Sequence, residues 1–160
     1  MSVIIDGRHL TCRDLHRIAH GEGVKLGQDV WEKMDANVKS MPLGPSILEE
    51  KRHWLVGGFA SDLTPDELCK TFIIGHCAGV GEPLPESLVR ATMAARANVL
   101  ATATTGCRPD AAEVLVDMLN QNVVPVVPSQ GSVGAAGDLA PLAHIARVAC
   151  GYADRPDSIL

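Results

Sequence analysis

The chain has 160 residues, of which 46% are hydrophobic and 21% charged, and its formal net charge is −5. This length and composition suit a globular protein, and we expect residues 1–160 to form a single domain. The negative charge argues against nucleic acid or an anionic membrane as the main partner. No apolar run approaches the roughly 18 residues of a membrane span, and the first residues lack the pattern of a signal peptide.

The cysteines indicate a reducing environment. There are five of them, an odd number, and no two are spaced as Cys-x-x-Cys. They are therefore expected to be free thiols, and the protein is expected to be cytoplasmic.

The first third of the chain predicts short strands alternating with helices. Thr11 followed by Asp14 is typical of a helix N-cap, and Gly21 is a suitable helix stop. The predicted elements are a strand at 3–5, a helix after 11 to about 20, a strand at 24–26, a helix from 28 to about 39, a helix from 46 to about 53 and a loop at 54–61.

The remainder is predicted to be mostly helical. The run Thr64-Pro65-Asp66-Glu67 has a cap, a first-position proline and first-turn acids, all of which favour a helix start. The predicted elements are a helix from 64 to near 79, a rigid turn at 79–85, helices from 86 to about 104 and from 109 to about 122, an extended piece at 123–127, a glycine loop at 129–138 and a helix from 139 to about 150. The fold class is therefore mainly α, with a few short strands.

The glycine loop is the most informative segment. Residues 130–144 read QGSVGAAGDLAPLAH, with Gly131, Gly134 and Gly137 ahead of a helix. Such a loop could hold an anion on its main-chain amides, or it could be a plain tight turn. A dinucleotide site is disfavoured because the spacing is not GxGxxG and no long parallel strand precedes it.

The same stretch is similar, nearly residue for residue, to the signature of the histidine and phenylalanine ammonia-lyases. The similarity continues through residues 75–85, 96–98 and 124–128, which read GHCAGVGEPLP, RAN and VPVVP. The chain thus resembles the N-terminal segment of the histidine/aromatic amino acid ammonia-lyase family. This resemblance implies a helical domain like the N-terminal domain of the ammonia-lyase fold.

The resemblance also points to a lost prosthetic group. In the family, an Ala-Ser-Gly tripeptide cyclises and loses water, and elimination of the serine hydroxyl leaves an electrophilic methylidene. The matching residues here are Ala135, Ala136 and Gly137. Ala136 has no hydroxyl to eliminate, so we expect no methylidene-imidazolone, no other cofactor and no deamination of amino acids.

A second departure concerns the family's catalytic tyrosine, which lies in a Tyr-Gly-x-Asn-Thr-Gly-Phe-Gly segment. The counterpart at residues 53–60 reads HWLVGGFA. Gly58 and Phe59 match, whereas His53 stands in the place of the tyrosine. Family enzymes are several times longer, so a fragment, or a chain whose ring-forming serine was replaced by Ala136, stays open as an explanation.

The remaining chemistry predicted for the chain is elimination, such as dehydration, or Michael-type addition or cyclisation on a small molecule, for example a natural-product intermediate. Such steps need a base beside an acidic proton, and His53 and His76 are the candidates. His76 matches a family position beside the substrate. Each could instead be structural, His53 as an exposed histidine and His76 as one bonded to a main-chain carbonyl.

Further positions follow from the same resemblance. Asp138 resembles the acid that assists ring formation, although capping of the next helix is the favoured role here. His144, on the last apolar helix, is expected to be a satisfied core histidine. The residues predicted to contact substrate are Trp54, Gly58, Phe59, Cys77, Ala136 and Asp138.

The alternative function is non-catalytic, as a ligand-binding or assembly protein derived from an ammonia-lyase. In either case a homo-oligomer is expected, with a dimer favoured, because apolar helix faces such as that of residues 139–150 need burial. His16 and His20 share one helix face, but no third ligand is evident, so no metal site is predicted.

Overall fold

The computed structural model describes residues 2–41, 63–134 and 137–152. These residues fall into two compact units, each described by itself below. The first unit contains residues 2–41 and 84–126. The second contains residues 63–83, 127–134 and 137–152.

Six helices and four short strands lie within the described ranges. The strands are β1 (Val3–Ile5), β2 (Val24–Leu26), β3 (Val80–Pro83) and β4 (Pro128–Gln130). The helices are α1 (Cys12–Ala19), α2 (Val30–Ser40), α3 (Pro65–His76), α4 (Glu86–Ala101), α5 (Asp110–Asn120) and α6 (Leu139–Ala149). None of these helices is long and apolar enough to cross a membrane.

In the first unit, β1 and β2 form a parallel pair in which Val3 lies opposite Val24. Val3 and Ile5 are buried and Ile4 is exposed, as the alternation of side chains along a strand requires. The side-chain amide of Asn120 continues the ladder beyond β2. It accepts from the Val24 amide at 2.8 Å and donates to the Val24 carbonyl at 3.0 Å.

Helix α4 forms the centre of this unit and packs against α1 and α5. Its buried side chains are mostly small or flexible, among them Met93, Ala94 and Ala97. Arg90 is the exception, because its side chain is only 3% exposed. Its Nε donates to the Ile18 carbonyl at 3.0 Å and its Nη1 to Asn122 Oδ1 at 2.9 Å, so the guanidinium ties the end of α1 to the turn after α5.

The turn after β1 is fixed by a contact with α4. Gly7 has a φ of +81°, and its amide donates to Asn98 Oδ1 at 2.9 Å. A Cβ on Gly7 would lie 2.6 Å from the carbonyl carbon of Ala101. Glycine is therefore required here both by the backbone angle and by the close approach of two main chains.

The second unit pairs α3 with α6 and β3 with β4. Thr64 caps α3 in a full capping box with Glu67, and Pro65 occupies the first turn, as predicted. The strands run antiparallel, with Val80 opposite Gln130 and Pro83 opposite Pro128. Ala143 and Ile145 of α6 are buried, and Leu139 at its start is 38% exposed.

One local prediction was wrong in this region. Residues 79–85 do not form only a turn, since four of them form β3. The reason is pairing, because β3 lies opposite β4, which directly follows the piece predicted as extended at residues 123–127. Val124, Pro125 and Val127 of that piece are buried. The mainly α fold class is confirmed, and the single domain remains a prediction.

Candidate active site

His76 lies in the last turn of α3 and is half-buried. Its Nδ1 bonds to the main-chain carbonyl of Phe72 at 2.7 Å, and the two rings are in contact, with centroids 4.2 Å apart and planes inclined by 41°. Because a carbonyl can only accept, Nδ1 carries the proton, and the neutral ring keeps a lone pair on Nε2. The carbonyl bond considered as the structural alternative is therefore present, and the role of His76 as a base remains a prediction.

Cys77 follows α3 directly and is also half-buried. Its thiol donates to the carbonyl of Ile73 at 3.3 Å. Burial raises the pKa of the Cys77 thiol, and the nearby charge of Arg147 opposes this only in part. Since the thiolate is the reactive form, Cys77 is not set up as a nucleophile, and its contact with a substrate remains a prediction.

His144 on α6 reaches the segment that follows Cys77. Its Nε2 accepts a hydrogen bond from the Gly79 amide at 3.3 Å. Burial lowers the pKa of His144, and Arg147 lowers it further. The sequence predicted a satisfied core histidine at this position. The ring has its partner, 65 residues away, but it is half-buried and not part of the core.

Gly79 and Gly131 meet where β3 and β4 begin to diverge. A Cβ on Gly131 would lie 2.9 Å from Gly79 Cα, and one on Gly79 would lie 3.1 Å from Pro128 Cβ. The two segments that contain these glycines therefore touch through their backbones. This contact brings the start of the glycine loop against the segment that follows His76.

The glycine loop is held by its own side chains. The carboxylate of Asp138 accepts from the hydroxyl of Ser132, whose oxygen also accepts from the Gly134 amide at 3.3 Å. Gly134, Gly137 and Asp138 all have positive φ, at 65°, 77° and 58°. The loop thus has a defined turn on both sides of residues 135 and 136.

The favoured role of Asp138 as a side-chain cap was wrong. It occupies the N-cap position of α6, but its left-handed backbone aims the carboxylate away from the helix amides, and no side-chain cap bond forms. The carboxylate bonds to Ser132 instead. Sequence reasoning missed Ser132, because a serine and an aspartate six residues apart have no fixed geometry in a loop.

Several predicted site residues lie outside the described residues, and they remain predictions. They are His53, Trp54, Gly58, Phe59 and Ala136.

The tripeptide at 135–137 does not fit the prosthetic group that the resemblance implies. A methylidene forms by elimination of a side-chain hydroxyl, and position 136 carries a methyl group. Among the described residues, no three metal-ligating side chains lie together.

Comparison with known proteins defines the class of this chain. The family model for aromatic amino acid lyases matches residues 10–155. The chain therefore belongs to the aromatic amino acid lyase family, as its motifs predicted.

Its relatives in that family include several bacterial histidine ammonia-lyases. The enzyme of Caldanaerobacter subterraneus is 39% identical over 144 residues, which cover 81% of this chain and 27% of the relative. That of Treponema denticola is 38% identical over 159 residues, covering 93% of this chain and 31% of the relative. The chain thus spans less than a third of the length of these relatives.

Solved structures agree on the fold. Tyrosine aminomutase from Streptomyces globisporus matches with a TM-score of 0.71 and 29% identity, over 91% of this chain and 28% of the other. Histidine ammonia-lyase from Trypanosoma cruzi matches with a TM-score of 0.72 and 28% identity, over 92% and 29%. The helical arrangement described above is therefore that of an ammonia-lyase segment.

Proposed function

We propose that this chain is an ammonia-lyase-like protein that works without the methylidene-imidazolone group. The observation that carries the proposal is the methyl side chain of Ala136, which cannot supply the electrophile. Without that electrophile, the amino group of an amino acid is not activated as a leaving group. Amino-acid deamination is therefore excluded from the proposed activity, even though the relatives named above are histidine ammonia-lyases.

The reaction we propose is removal of a proton next to a carbonyl, followed by loss of a β-substituent such as water. The carbonyl acidifies the proton, so a positioned base is sufficient. The base takes the proton, and the electrons of the broken C–H bond form the C=C bond. The β-hydroxyl group is protonated and leaves as water. The reverse direction is a Michael-type addition, which becomes a cyclisation when the nucleophile is in the same molecule.

His76 is the described residue that best fits the role of base. Its Nδ1 is anchored on the Phe72 carbonyl, which leaves Nε2 to accept the proton. The tilted ring of Phe72 lies against the imidazole, with centroids 4.2 Å apart. His53 is proposed as a second proton-transfer group, because it takes the position of the family's tyrosine in the sequence.

The first experiment measures the mass of the intact protein as purified. We expect the mass given by the sequence and no near-ultraviolet band beyond that of its aromatic residues. A mass lower by two water molecules would overturn the proposal. Ammonia release from L-histidine by the full-length protein would overturn it as well.

The second experiment measures turnover of β-hydroxy ketones and β-hydroxyacyl thioesters by the appearance of enone absorbance. His53→Ala and His76→Ala are expected to lower the rate by about 10²-fold or more, the range for loss of a general base. His16→Ala is the matched control, since His16 is exposed on α1. Full activity in both site variants would show that the base lies elsewhere.

A second candidate function, binding or assembly without catalysis, is favoured by apolar side chains exposed in the second unit. Val133 is 83% exposed and Val80 62% exposed. Such side chains often mark a partner surface, and a second copy of this chain is the partner we propose. A monomer in light scattering at micromolar concentration would contradict this association.

A further inference from the structure

The segment that carries His76 is fixed at its far end by His144. Gly79, three residues after His76, donates its amide proton to His144 Nε2 at 3.3 Å. An acceptor at Nε2 requires an unprotonated nitrogen, so the ring must be neutral with its proton on Nδ1. The bond joins α6, the helix that follows the glycine loop, to the segment that follows α3.

The packing around this bond is tight at Gly79. A Cβ on Gly79 would lie 3.0 Å from His144 Nε2, and one on Gly131 would lie 2.9 Å from Gly79 Cα. The segment is thus enclosed by α6 on one side and by the beginning of the glycine loop on the other. Because these groups lie in van der Waals contact, a change at His144 is expected to shift the segment.

We propose that His144, in its neutral Nδ1–H form, is a positioning residue that holds residues 77–79, and through them His76, against the helix of the glycine loop. The role of His76 in this proposal rests on the proposed function. The hydrogen bond itself does not depend on which reaction the protein performs.

Protonation of His144 would release the segment, because an N–H at Nε2 cannot accept. Burial and the charge of Arg147 lower the pKa of His144, which favours the accepting form near neutral pH. Of the described elements around it, α3 carries the ionisable side chains of Asp66, Glu67, Cys69, Lys70 and His76. The adjoining segment carries Cys77 and β3 carries Glu82, whereas β4 has no ionisable side chain.

The test uses ¹⁵N-labelled full-length protein and follows the Gly79 amide and the His76 and His144 ring nitrogens by NMR from pH 8 to pH 5. The variants are His144→Gln, whose carbonyl accepts at every pH, and His144→Leu, which has similar bulk and no acceptor. His16→Gln is the control, because it removes an exposed histidine from the other unit.

In the unsubstituted protein, the Gly79 amide and the His76 signals should shift together as His144 is protonated. His144→Gln should remove this step and keep Gly79 protected. His144→Leu should speed Gly79 amide exchange by about fivefold at every pH, the change expected for one lost hydrogen bond.

Three results would overturn the proposal. They are a protonated His144 Nε2 at pH 8, a Gly79 amide whose signal and exchange rate do not change in the His144 variants, and His76 ring signals that do not shift at the pH where the Gly79 amide shifts. The titration of the unsubstituted protein decides the matter even if His144→Leu does not fold. Failure of the proposed reaction would appear in the mass or turnover measurements, so the two failures are distinguishable.

Discussion

Single residues decide two features of the first unit, the turn after β1 and the buried cation of α4. At the turn, Gly7 combines a φ of +81° with a contact to the α4 main chain, and Gly21 offers a comparison at a φ of +94° with nothing within 4 Å of its Cβ position. Backbone strain and steric clash are therefore separable within one protein.

Gly7→Ala should lower the free energy of unfolding by about 3 kcal/mol, from left-handed strain of about 1–2 kcal/mol plus the clash with Ala101. Gly21→Ala should lower it by the strain alone, about 1 kcal/mol. Urea unfolding followed by circular dichroism measures both. Equal losses in the two variants would show that the clash is relieved by movement of the backbone.

Arg90 is the second feature, a buried guanidinium bonded to Ile18 and Asn122. Arg90→Met keeps the apolar volume but loses two hydrogen bonds from a charged group, so the free energy of unfolding should fall by about 2 kcal/mol. Arg96→Met on the exposed side of the same helix should stay within about 0.5 kcal/mol. A stabilised Arg90→Met would mean that the cost of burying the charge exceeds the value of its bonds.

At the scale of elements, the helix starts are set by local side chains. Asp14 donates its amide to Thr11 Oγ1 at 3.2 Å, and Glu67 donates its amide to Thr64 Oγ1 at 3.3 Å. The carboxylate of each acid bonds back to the threonine. These boxes make the first turns of α1 and α3 independent of distant contacts.

Thr64→Ala should destabilise the protein by about 1 kcal/mol, because the Glu67 amide loses its acceptor and the Glu67 carboxylate loses the hydroxyl donor, whereas Thr64→Ser should keep most of the effect. Chemical denaturation of the three proteins measures the difference. An alanine variant as stable as the serine variant would show that the box contributes nothing in this setting.

The same elements show what could be read from the sequence. The starts of α1 and α3 were predicted because Thr11 and Thr64 act on residues three positions away. Strand β3 was not predicted, because nothing near Val80 signals that Gln130 will lie opposite. The bond from Gly79 to His144 was missed for the same reason, and Arg90 carries no local sign of its burial.

The candidate site likewise has features that the sequence predicted and features that depend on contacts it does not show. The resemblance located His76, the glycine loop and the missing hydroxyl of Ala136, because these lie in contiguous motifs. The hydrogen bond from Ser132 to Asp138, and the tautomer that the Phe72 carbonyl sets on His76, could be identified only from the three-dimensional structure.

At the scale of the whole molecule, the shifted pKa values predict two windows of acid destabilisation. The pKa of His144 is lowered from 6.5. Its contribution to stability is thus present above 6.5 and declines as the pH falls through the lower folded value. The pKa values of Asp14 and Glu67 are lowered from 3.8 and 4.5, chiefly by hydrogen bonds from the capping threonines, so a second loss follows at lower pH.

Urea midpoints measured from pH 8 to pH 3 should therefore fall in two stages. His144→Gln should flatten the upper stage and leave the lower one, since glutamine does not titrate. An upper stage that persists in this variant would assign it to another histidine.

The side-chain amide of Asn120 has a consequence for how the small sheet ends. By taking both main-chain groups of Val24, it acts as a one-residue third strand and makes those two groups unavailable to an incoming chain. Another strand therefore cannot pair with β2 at Val24 without displacing Asn120. The residue that completes the ladder thus also hinders edge-to-edge polymerisation at this position.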